Sequence, residues 1–456
     1  NGKLDLIGFD ACLMANFEVA RTVAPYAKTM VASEELEPGD GWNYTPLMTR
    51  LSQKPEMDSF ELGRTVVDTY RDYYFATETQ ENYVTLSVID LAKIDALAVA
   101  ISDLAVTNQG LVKTGGRDSM VKIARARSKA SEFGKDEGSS AYNFDIVGFA
   151  ENIKLQTPAS ARSADAVIAA ARAAVVYKIN GPTHARANGL SIYFPGNSAG
   201  IKEMGYDRHP FYSSFKWPAL LAEVFAVLEK DTQAPQVQPV ETTDKEIAKD
   251  DVVQVSAKVN ADDIEEATFV LAANDDKQSL IIGSIPAFPD EKGVLHEEWD
   301  GGWFTISDGK NQQICPITGF EQLEEGKELY MIEVPAEIRF AGGKQWRDIT
   351  LNFVLDLTND EATGEFVSAF EFVKGNPREI DLEKGDSIRP VFLLVQENGD
   401  VEPIASNDPA DILSVGAEGE LFIGYEDVPA GDYSIGFLVT DFAGNTTDKF
   451  VDVTLE

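Results

Sequence analysis

The sequence has few of the residues on which several classes of protein depend. It contains only two cysteines, Cys12 and Cys315, among 456 residues, which excludes a disulfide framework and a cysteine-rich metal site. No apolar run reaches the roughly 18 residues that a membrane-spanning helix needs, so we expect no membrane span. The first residues also lack the basic, apolar and small-residue order of a signal peptide.

Basic residues are scarce in the second half of the chain. Residues 1–230 contain 28 acids and 24 bases, whereas residues 231–456 contain 48 acids and 15 bases, which gives net charges of −4 and −33. The acidic surface of the second half repels nucleic acid and anionic lipid, and we expect neither as a partner. The contrast predicts a near-neutral domain followed by a different, acidic one.

The first half shows the pattern of an α/β domain. An apolar run over residues 4–9 predicts a buried strand, residues 15–27 predict the next helix, and residues 29–33 predict a second strand. Helical spacing recurs over residues 163–178 and 219–230. We therefore predict an α/β fold for residues 1–230.

The second half shows the two-residue period of strands. Residues 231–239 contain two prolines and no helical pattern, which predicts a linker. The turn dipeptides Asp308-Gly309 and Asn398-Gly399 indicate hairpins. We predict acidic β domains over residues 240–345 and 346–456, the second an immunoglobulin-like sandwich, or one module nested within the other.

Cys12 is the candidate catalytic residue because of its position. It follows the first predicted strand directly, and loops at the carboxyl ends of parallel strands are where substrates bind in open α/β sheets. A thiol attacks only as the thiolate, so it must be accessible and near a base, usually histidine. Cys315 precedes a proline and has the ordinary interpretation of a buried apolar residue.

The sequence around Cys12 resembles the clostripain-like cysteine peptidases, family C11 in the caspase, legumain and gingipain clan. The segments that carry the resemblance are DLIGFDACLMA at residues 5–15, VASEELEPGDGW at 31–42, LSVIDL at 86–91 and GLSIYFP at 189–195. The resemblance covers residues 1–230. It implies a caspase-like α/β/α sandwich in which Cys12 is the nucleophile and a His-Gly on a neighbouring strand is the base.

The histidines of this chain do not fit that pattern. His184 precedes alanine, His209 precedes proline and His296 precedes glutamate, so none is a His-Gly after an apolar strand. We interpret all three as surface or structural residues. In the family, internal cleavage gives a histidine-bearing light chain and a heavy chain. We expect this chain to be such a heavy chain; the alternative is a catalytically inactive homologue.

The resemblance also implies a pocket for a basic side chain. In the family, the acidic residue after the Pro-Gly turn lines this pocket, which makes Asp40 the first candidate and Asp10 the second. Without a role in binding, Asp40 would be a turn aspartate and Asp10 a cap at the end of a strand. Calcium is an expectation from the resemblance alone, because no calcium-loop spacing is present and the sequence itself requires no cofactor or metal.

Two functions remain open from the sequence. The first is a bacterial cysteine endopeptidase, secreted or attached to the cell surface, that cleaves protein or peptide substrates after Arg and then Lys. Its histidine lies on a light chain from the same precursor or on an upstream segment. The second is a non-catalytic adhesion or binding protein, in which the α/β half is a scaffold and the acidic β domains bind.

Overall fold

The structure is a computed structural model. It describes residues 2–76, 84–136, 139–181, 184–203, 205–249, 251–260, 262–275, 277–322, 328–358, 363–373, 376–416 and 421–456. The chain forms two compact units, Asn1–Thr232 and Gln233–Glu456. The boundary between them lies within the segment for which the sequence predicts a linker.

The first unit contains both helices and strands, as predicted. Its strands are β1 Leu4–Gly8, β2 Ala27–Ala32, β3 Thr85–Asp90, β4 Glu132–Asp136, β5 Ser139–Asp145, β6 Val175–Asn180 and β7 Ser191–Tyr193. Its helices are α1 Phe17–Val23, α2 Tyr44–Gln53, α3 Ser59–Tyr74, α4 Ile94–Gly115, α5 Arg117–Ser128, α6 Ile146–Gln156, α7 Ala161–Ala174, α8 Ser198–Glu203 and α9 Trp217–Leu228.

The main sheet of this unit has the order β1-β2-β3-β6. Strands β1 and β2 are parallel, with Leu4 opposite Ala27 and Gly8 opposite Val31, so the predicted strand-helix-strand unit is confirmed. The pairs β2–β3 and β3–β6 are antiparallel. In this sheet, parallel pairing is therefore confined to β1 and β2.

Helix α3 shows why helices cover this sheet. The Asp58 carboxylate accepts the N–H groups of Phe60 and Glu61 at 2.9 and 2.8 Å, which caps the first turn. Apolar residues of α3 pack against alternate residues of β2 and β3, including Val31 and Val88. Helix α7 contacts β3 and β6 outside that core. Helices thus lie on both faces of the sheet.

One predicted helix is wrong at its end. Helical spacing suggests residues 163–178, but α7 ends at Ala174 and strand β6 begins at Val175. Val175, Val176 and Tyr177 favour extended backbone because β-branched and aromatic side chains pack well on a pleated surface. Pairing with β3 therefore overrides the helical pattern.

The second unit consists almost entirely of strands. They are β8 Glu241–Thr242, β9 Glu246–Ile247, β10 Val253–Lys258, β11 Ile264–Asn274, β12 Gln278–Pro286, β13 Val294–Trp299, β14 Gly302–Ser307, β15 Gln312–Ile314, β16 Gly319–Gln322, β17 Leu329–Arg339, β18 Arg347–Asp356, β19 Thr363–Val373, β20 Asn376–Ile380, β21 Ser387–Gln396, β22 Val401–Ala405, β23 Leu413–Ser414, β24 Phe422–Asp427, β25 Gly431–Asp441 and β26 Thr446–Leu455.

Most of these strands belong to one large sheet. Its order is β15-β14-β24-β19-β18-β17-β21-β12-β11-β25-β26-β9, and the ladders are antiparallel except β26–β9. The predicted all-β character is confirmed, as are the hairpins at Asp308-Gly309 and Asn398-Gly399. Strands β17 and β18 pair across residue 345, the boundary that we predicted between two β domains. That division and the immunoglobulin-like topology stay predictions.

A membrane-crossing helix was not expected from the sequence. Within the described residues, every helix is too short or too polar to cross a membrane.

Candidate functional site

Cys12 lies in the loop that joins β1 to α1, as the sequence predicts. This loop runs beside the segment that follows β2, because the Leu13 N–H donates to the Glu35 carbonyl at 3.1 Å and the Ala15 N–H donates to the Ser33 carbonyl at 2.7 Å. Leu13 has a φ of +64°, a conformation that costs energy for a leucine. Cys12 is half-buried at this bend.

The Cys12 thiol contacts the backbone of Glu37. The Glu37 N–H donates to Sγ at 3.2 Å, and the thiol donates to the Glu37 carbonyl at 3.8 Å. Burial raises the pKa of Cys12, and the Glu37 N–H opposes this rise. Cys12 is therefore held in a defined position but needs a base to become a thiolate at neutral pH.

The described residues place no histidine at hydrogen-bond distance from Cys12. His184 keeps 13% of its side chain exposed, its Nε2 lies 3.7 Å from a Glu35 carboxylate oxygen, and desolvation lowers its pKa to about 4. His209 stacks on Phe211 with ring centroids 5.1 Å apart. His296 lies in the second unit, 3.6 Å from Asp290. These contacts favour structural roles for the three.

Strand β1 is the outermost strand of its sheet. One edge pairs with β2, and no strand of the described part of the chain pairs with the other edge. Leu4 on this strand has 58% of its surface exposed. Cys12 thus follows directly after a strand whose outer edge can accept a further strand.

Asp10 is bound to the turn that contains Asp40. Its two carboxylate oxygens accept the Trp42 N–H at 3.1 Å and the Tyr44 hydroxyl at 2.8 Å. Gly41, at a φ of +62°, lies between these groups, and a Cβ there would come within 2.7 Å of the Asp10 carboxylate. Only glycine fits this position, since both its conformation and its space exclude a side chain.

Asp40 is held from the other side by the end of α3. The Tyr73 hydroxyl donates to the Asp40 carboxylate at 2.5 Å, and the Tyr74 hydroxyl donates to the Gly41 carbonyl at 2.9 Å. Asp10 and Asp40 are both exposed. The structure therefore fixes both carboxylates around one turn. This turn lies three to five residues after Glu37, the residue whose backbone contacts the Cys12 thiol.

Glu37 is a residue to which sequence reasoning assigned no role. It is 8% exposed, and its carboxyl lies beside the carboxyl of Asp10 and the indole of Trp42. Burial first, and then the neighbouring Asp10 charge, raise its pKa to about 9. The hydroxyl of Tyr70 is also buried and without a partner among the described residues. A glutamate directly before the Pro-Gly turn was the available signal.

The two preceding glutamates tie loops together. The Glu34 carboxylate accepts the Gly189 N–H at 2.6 Å, and the Glu35 carboxylate accepts the Gly134 N–H at 3.0 Å. Both contacts bring later segments of the chain to the loop that follows β2. These contacts favour structural roles for Glu34 and Glu35.

The surroundings of Cys12 in the described part of the chain do not form a metal site. Considering only the described residues, no set of three potentially ligating side chains surrounds Cys12. Calcium therefore stays an expectation that rests on the resemblance.

Comparison with known proteins gives a consistent result for the first unit. The clostripain family (Peptidase C11) matches residues 1–224. Clostripain of Hathewaya histolytica is 25% identical over 233 residues, which are 42% of this chain and 43% of that protein. The chain therefore spans less than half the length of this curated relative.

Solved structures of similar proteins are also bacterial peptidases. A cysteine protease of B. fragilis is 20% identical, with 48% of this chain and 89% of that chain covered and a TM-score of 0.34. A secreted C11 cysteine protease of Bacteroides thetaiotaomicron, solved with an irreversible peptide inhibitor, is 17% identical, with 48% and 60% covered and a TM-score of 0.35.

Proposed function

Because residues 1–224 form a cysteine peptidase domain of the clostripain family, with its caspase-like α/β fold, we propose that this protein is an endopeptidase that cleaves after arginine and, second, after lysine. The observation that carries this proposal is the Cys12 thiol. It is half-buried, held by the Glu37 backbone, and placed directly after the edge strand β1.

Cys12 acts as the nucleophile in this proposal. Its thiolate attacks the scissile carbonyl carbon, the peptide C–N bond breaks, and the amine leaves with a proton from the base. Water then hydrolyses the thioester and regenerates the thiol. Backbone N–H groups near Cys12 stabilise the oxyanion of each tetrahedral intermediate.

The base is a histidine on a segment that adds to the free edge of β1. Two observations support this arrangement: the raised pKa of Cys12 requires a base, and the described histidines do not supply one. A strand paired with β1 would end close to the loop that contains Cys12 and would cover the exposed Leu4. We propose that this segment belongs to a light chain from the same precursor.

Asp10 and Asp40 provide the negative charge that selects a basic P1 side chain, the side chain on the acyl side of the scissile bond. A carboxylate paired with a guanidinium in a partly desolvated pocket discriminates strongly against neutral side chains. The turn that joins the two aspartates also lies next to the Cys12 thiol. An arginine or lysine side chain bound there would place the carbonyl group of that residue near the nucleophile.

We also propose that the protein is secreted or attached to the bacterial cell surface. The B. thetaiotaomicron peptidase described above is a secreted protein. The acidic second unit, with a net charge of −33 over residues 231–456, suits an extracellular location where high solubility is useful.

The test is capture of Cys12 by a peptidyl electrophile that ends in arginine. We expect covalent modification of Cys12, mapped by peptide mass spectrometry, that is much faster than with an electrophile ending in norleucine. Cys315 is an internal control because it is fully buried and should stay unmodified in the folded protein. An inert Cys12 in the protein with its histidine-bearing segment intact would instead favour the adhesion or binding function.

A further inference from the structure

The backbone bends sharply directly after Cys12. Leu13 has a φ of +64°, in the left-handed region where the Cβ of a leucine crowds its own backbone. Among the described residues, one other residue that is not glycine shares a positive φ, namely Tyr142 on β5. An unfavourable conformation of this kind persists only where surrounding contacts hold it, so the residue next to the proposed nucleophile must be held in place.

Hydrogen bonds hold the peptide groups on both sides of Leu13. The Leu13 N–H donates to the Glu35 carbonyl at 3.1 Å. The Leu13 carbonyl accepts a hydrogen bond from Nδ2 of Asn16 at 3.0 Å. The gain from one hydrogen bond is similar in size to the cost of a left-handed leucine, so each of these two contacts matters for the bend.

Asn16 is the only one of these partners that holds the bend through its side chain. Its Oδ1 accepts the Val19 N–H at 2.8 Å, which caps helix α1. Its backbone forms a parallel bridge with Ser191 on β7. The cap requires an acceptor and the Leu13 carbonyl requires a donor, and the amide of asparagine supplies both.

The bend determines the position of the thiol. The peptide group that joins Cys12 to Leu13 is bound to the Glu35 carbonyl, and the Cys12 Sγ lies 3.2 Å from the Glu37 nitrogen. If Leu13 left the left-handed region, this peptide group would rotate away from Glu35. The thiol would then move relative to the Glu37 backbone and to the turn after it.

We propose that Asn16 is a positioning residue for the nucleophile, which holds the bend at Leu13 by donating from Nδ2 to the Leu13 carbonyl. Asn16 acts through Leu13 and Cys12 and does not itself contact the substrate. This inference rests on the proposed peptidase function and adds to it a residue outside the P1 pocket.

Asn16→Asp separates the two roles of the side chain. Aspartate is an equally good N-cap and keeps an acceptor for the Val19 N–H, but it places an oxygen instead of a donor against the Leu13 carbonyl. We expect kcat for an arginine peptide substrate to fall about tenfold. KM should stay unchanged, because Asp10 and Asp40 remain in place. Initial rates of the protein, together with the proposed histidine-bearing segment, measure both constants.

Relief of the strain at position 13 is the readout that a purely structural role would not give. Glycine adopts a positive φ without steric cost, and asparagine tolerates it. Adding Leu13→Gly or Leu13→Asn to Asn16→Asp should therefore restore kcat to within about threefold of the wild type. If Asn16 only stabilised the fold, a loop glycine would lower stability further, because it adds freedom to the unfolded chain. The double variants keep the added charge of the aspartate, so a recovery cannot come from removing it.

Two further variants make the result specific. Asn197→Asp is the same exchange at the start of α8, where Oδ1 of the exposed Asn197 accepts the N–H groups of Ala199 and Gly200 at 3.0 and 3.3 Å. It should leave kcat and KM unchanged. Asn16→Gly adds no charge, is tolerated as an N-cap and removes the donor, so it should lower kcat about as much as Asn16→Asp. It carries the test if Asn16→Asp does not fold.

The outcomes separate this inference from the proposed function. A wild-type kcat in Asn16→Asp, or a low kcat that neither substitution of Leu13 restores, would overturn the role of Asn16 and leave the peptidase function intact. A higher KM with an unchanged kcat would overturn it as well, since Asn16 would then act on substrate binding. A wild-type protein that does not cleave the arginine substrate, although iodoacetamide alkylates Cys12, would overturn the peptidase function and the role of Asn16 together.

Discussion

At the scale of single residues, the thiol of Cys12 and the carboxyl of Glu37 have opposing requirements. A thiolate next to an ionised Glu37 would be destabilised, because the Glu37 charge raises the pKa of Cys12. Keeping Glu37 protonated avoids this repulsion at neutral pH. The backbone N–H of Glu37 stabilises the sulfur. Glu37 therefore influences the pKa of the nucleophile through both its backbone and its side chain.

The position of Cys12 could be predicted from the sequence, but the surroundings of Glu37 could not. An apolar run directly before Asp10-Ala11-Cys12 is a local signal, and it correctly predicts a cysteine after a strand. Burial of Glu37 depends on contacts with Asp10, Trp42 and Tyr70, which lie on separate elements. Such contacts arise only when the chain folds, so no local pattern reports them.

Asp40→Ala tests the proposed pocket directly. We expect kcat/KM for arginine substrates to fall by about 100-fold or more, because a charge-assisted pair is worth several kcal/mol of transition-state binding. Alkylation of Cys12 by iodoacetamide should stay unchanged. Asp118→Ala, at an exposed acid on α5, is the matched control and should have no effect on arginine preference. Undiminished arginine preference in Asp40→Ala would remove Asp40 from the pocket.

Glu37→Gln should also change the stability of the protein with pH. The pKa of Glu37 is raised in the folded state, so its contribution to stability is fully present below its unfolded pKa of 4.5 and decreases as the pH rises to about 9. Glutamine does not titrate. We expect the variant to exceed the wild type by about 3 kcal/mol in the free energy of unfolding at pH 7 and to equal it near pH 4.

Urea denaturation of both proteins at pH 4, 7 and 9 measures this difference. Equal stabilities of the variant and the wild type at all three values would show that Glu37 is not protonated in the folded protein.

At the scale of elements, strand β1 positions the site through its carboxyl end. Its parallel pairing with β2 places the loop after β1 beside the segment that follows β2. The sequence predicted this unit because an apolar run, a helical period and a second strand follow one another. It did not predict strand β6, since an alanine-rich helical pattern precedes Val175 without a break.

Gly8, the last residue of β1, offers a test of this positioning. A Cβ on Gly8 would lie 2.7 Å from Cη2 of the Trp42 ring, so Gly8→Ala must displace Trp42 and with it the turn that binds Asp10. We expect the preference for arginine over norleucine electrophiles to decrease at least several-fold, with a loss of about 1–3 kcal/mol of stability. The measurement is the ratio of the two alkylation rates.

Gly2→Ala is the matched control for this substitution, because a Cβ on Gly2 would meet nothing within 4 Å. If both alanine variants behave like the wild type, the contact between β1 and Trp42 does not position the pocket.

At the scale of the whole molecule, the chain combines two units of very different charge. The net charge is −4 over residues 1–230 and −33 over residues 231–456, a contrast that is visible in the sequence. The order in which strands of the second unit pair was not visible, because strands distant in sequence are neighbours: β14 pairs with β24 and β11 with β25. Alternation predicts strands but not their partners.

The acidic unit should respond to salt more than the first unit does. Like charges repel in the compact state, and salt screens them with a Debye length of about 3 Å at 1 M. We expect hydrogen exchange of Gln233–Glu456, followed by mass spectrometry of the full chain, to slow clearly between 0.05 and 1 M NaCl. Exchange in Asn1–Thr232 should change little, and equal responses of the two units would contradict this expectation.

The central claim is that the Cys12 thiol is the nucleophile of a peptidase directed at basic residues. Its most direct test is to incubate the protein, together with the proposed histidine-bearing segment, with a peptide library and to map every cleaved bond by mass spectrometry. We predict cleavage after arginine, less often after lysine, and no cleavage by Cys12→Ala. Cleavage that persists in Cys12→Ala, or that follows neutral and acidic residues equally often, would contradict the claim.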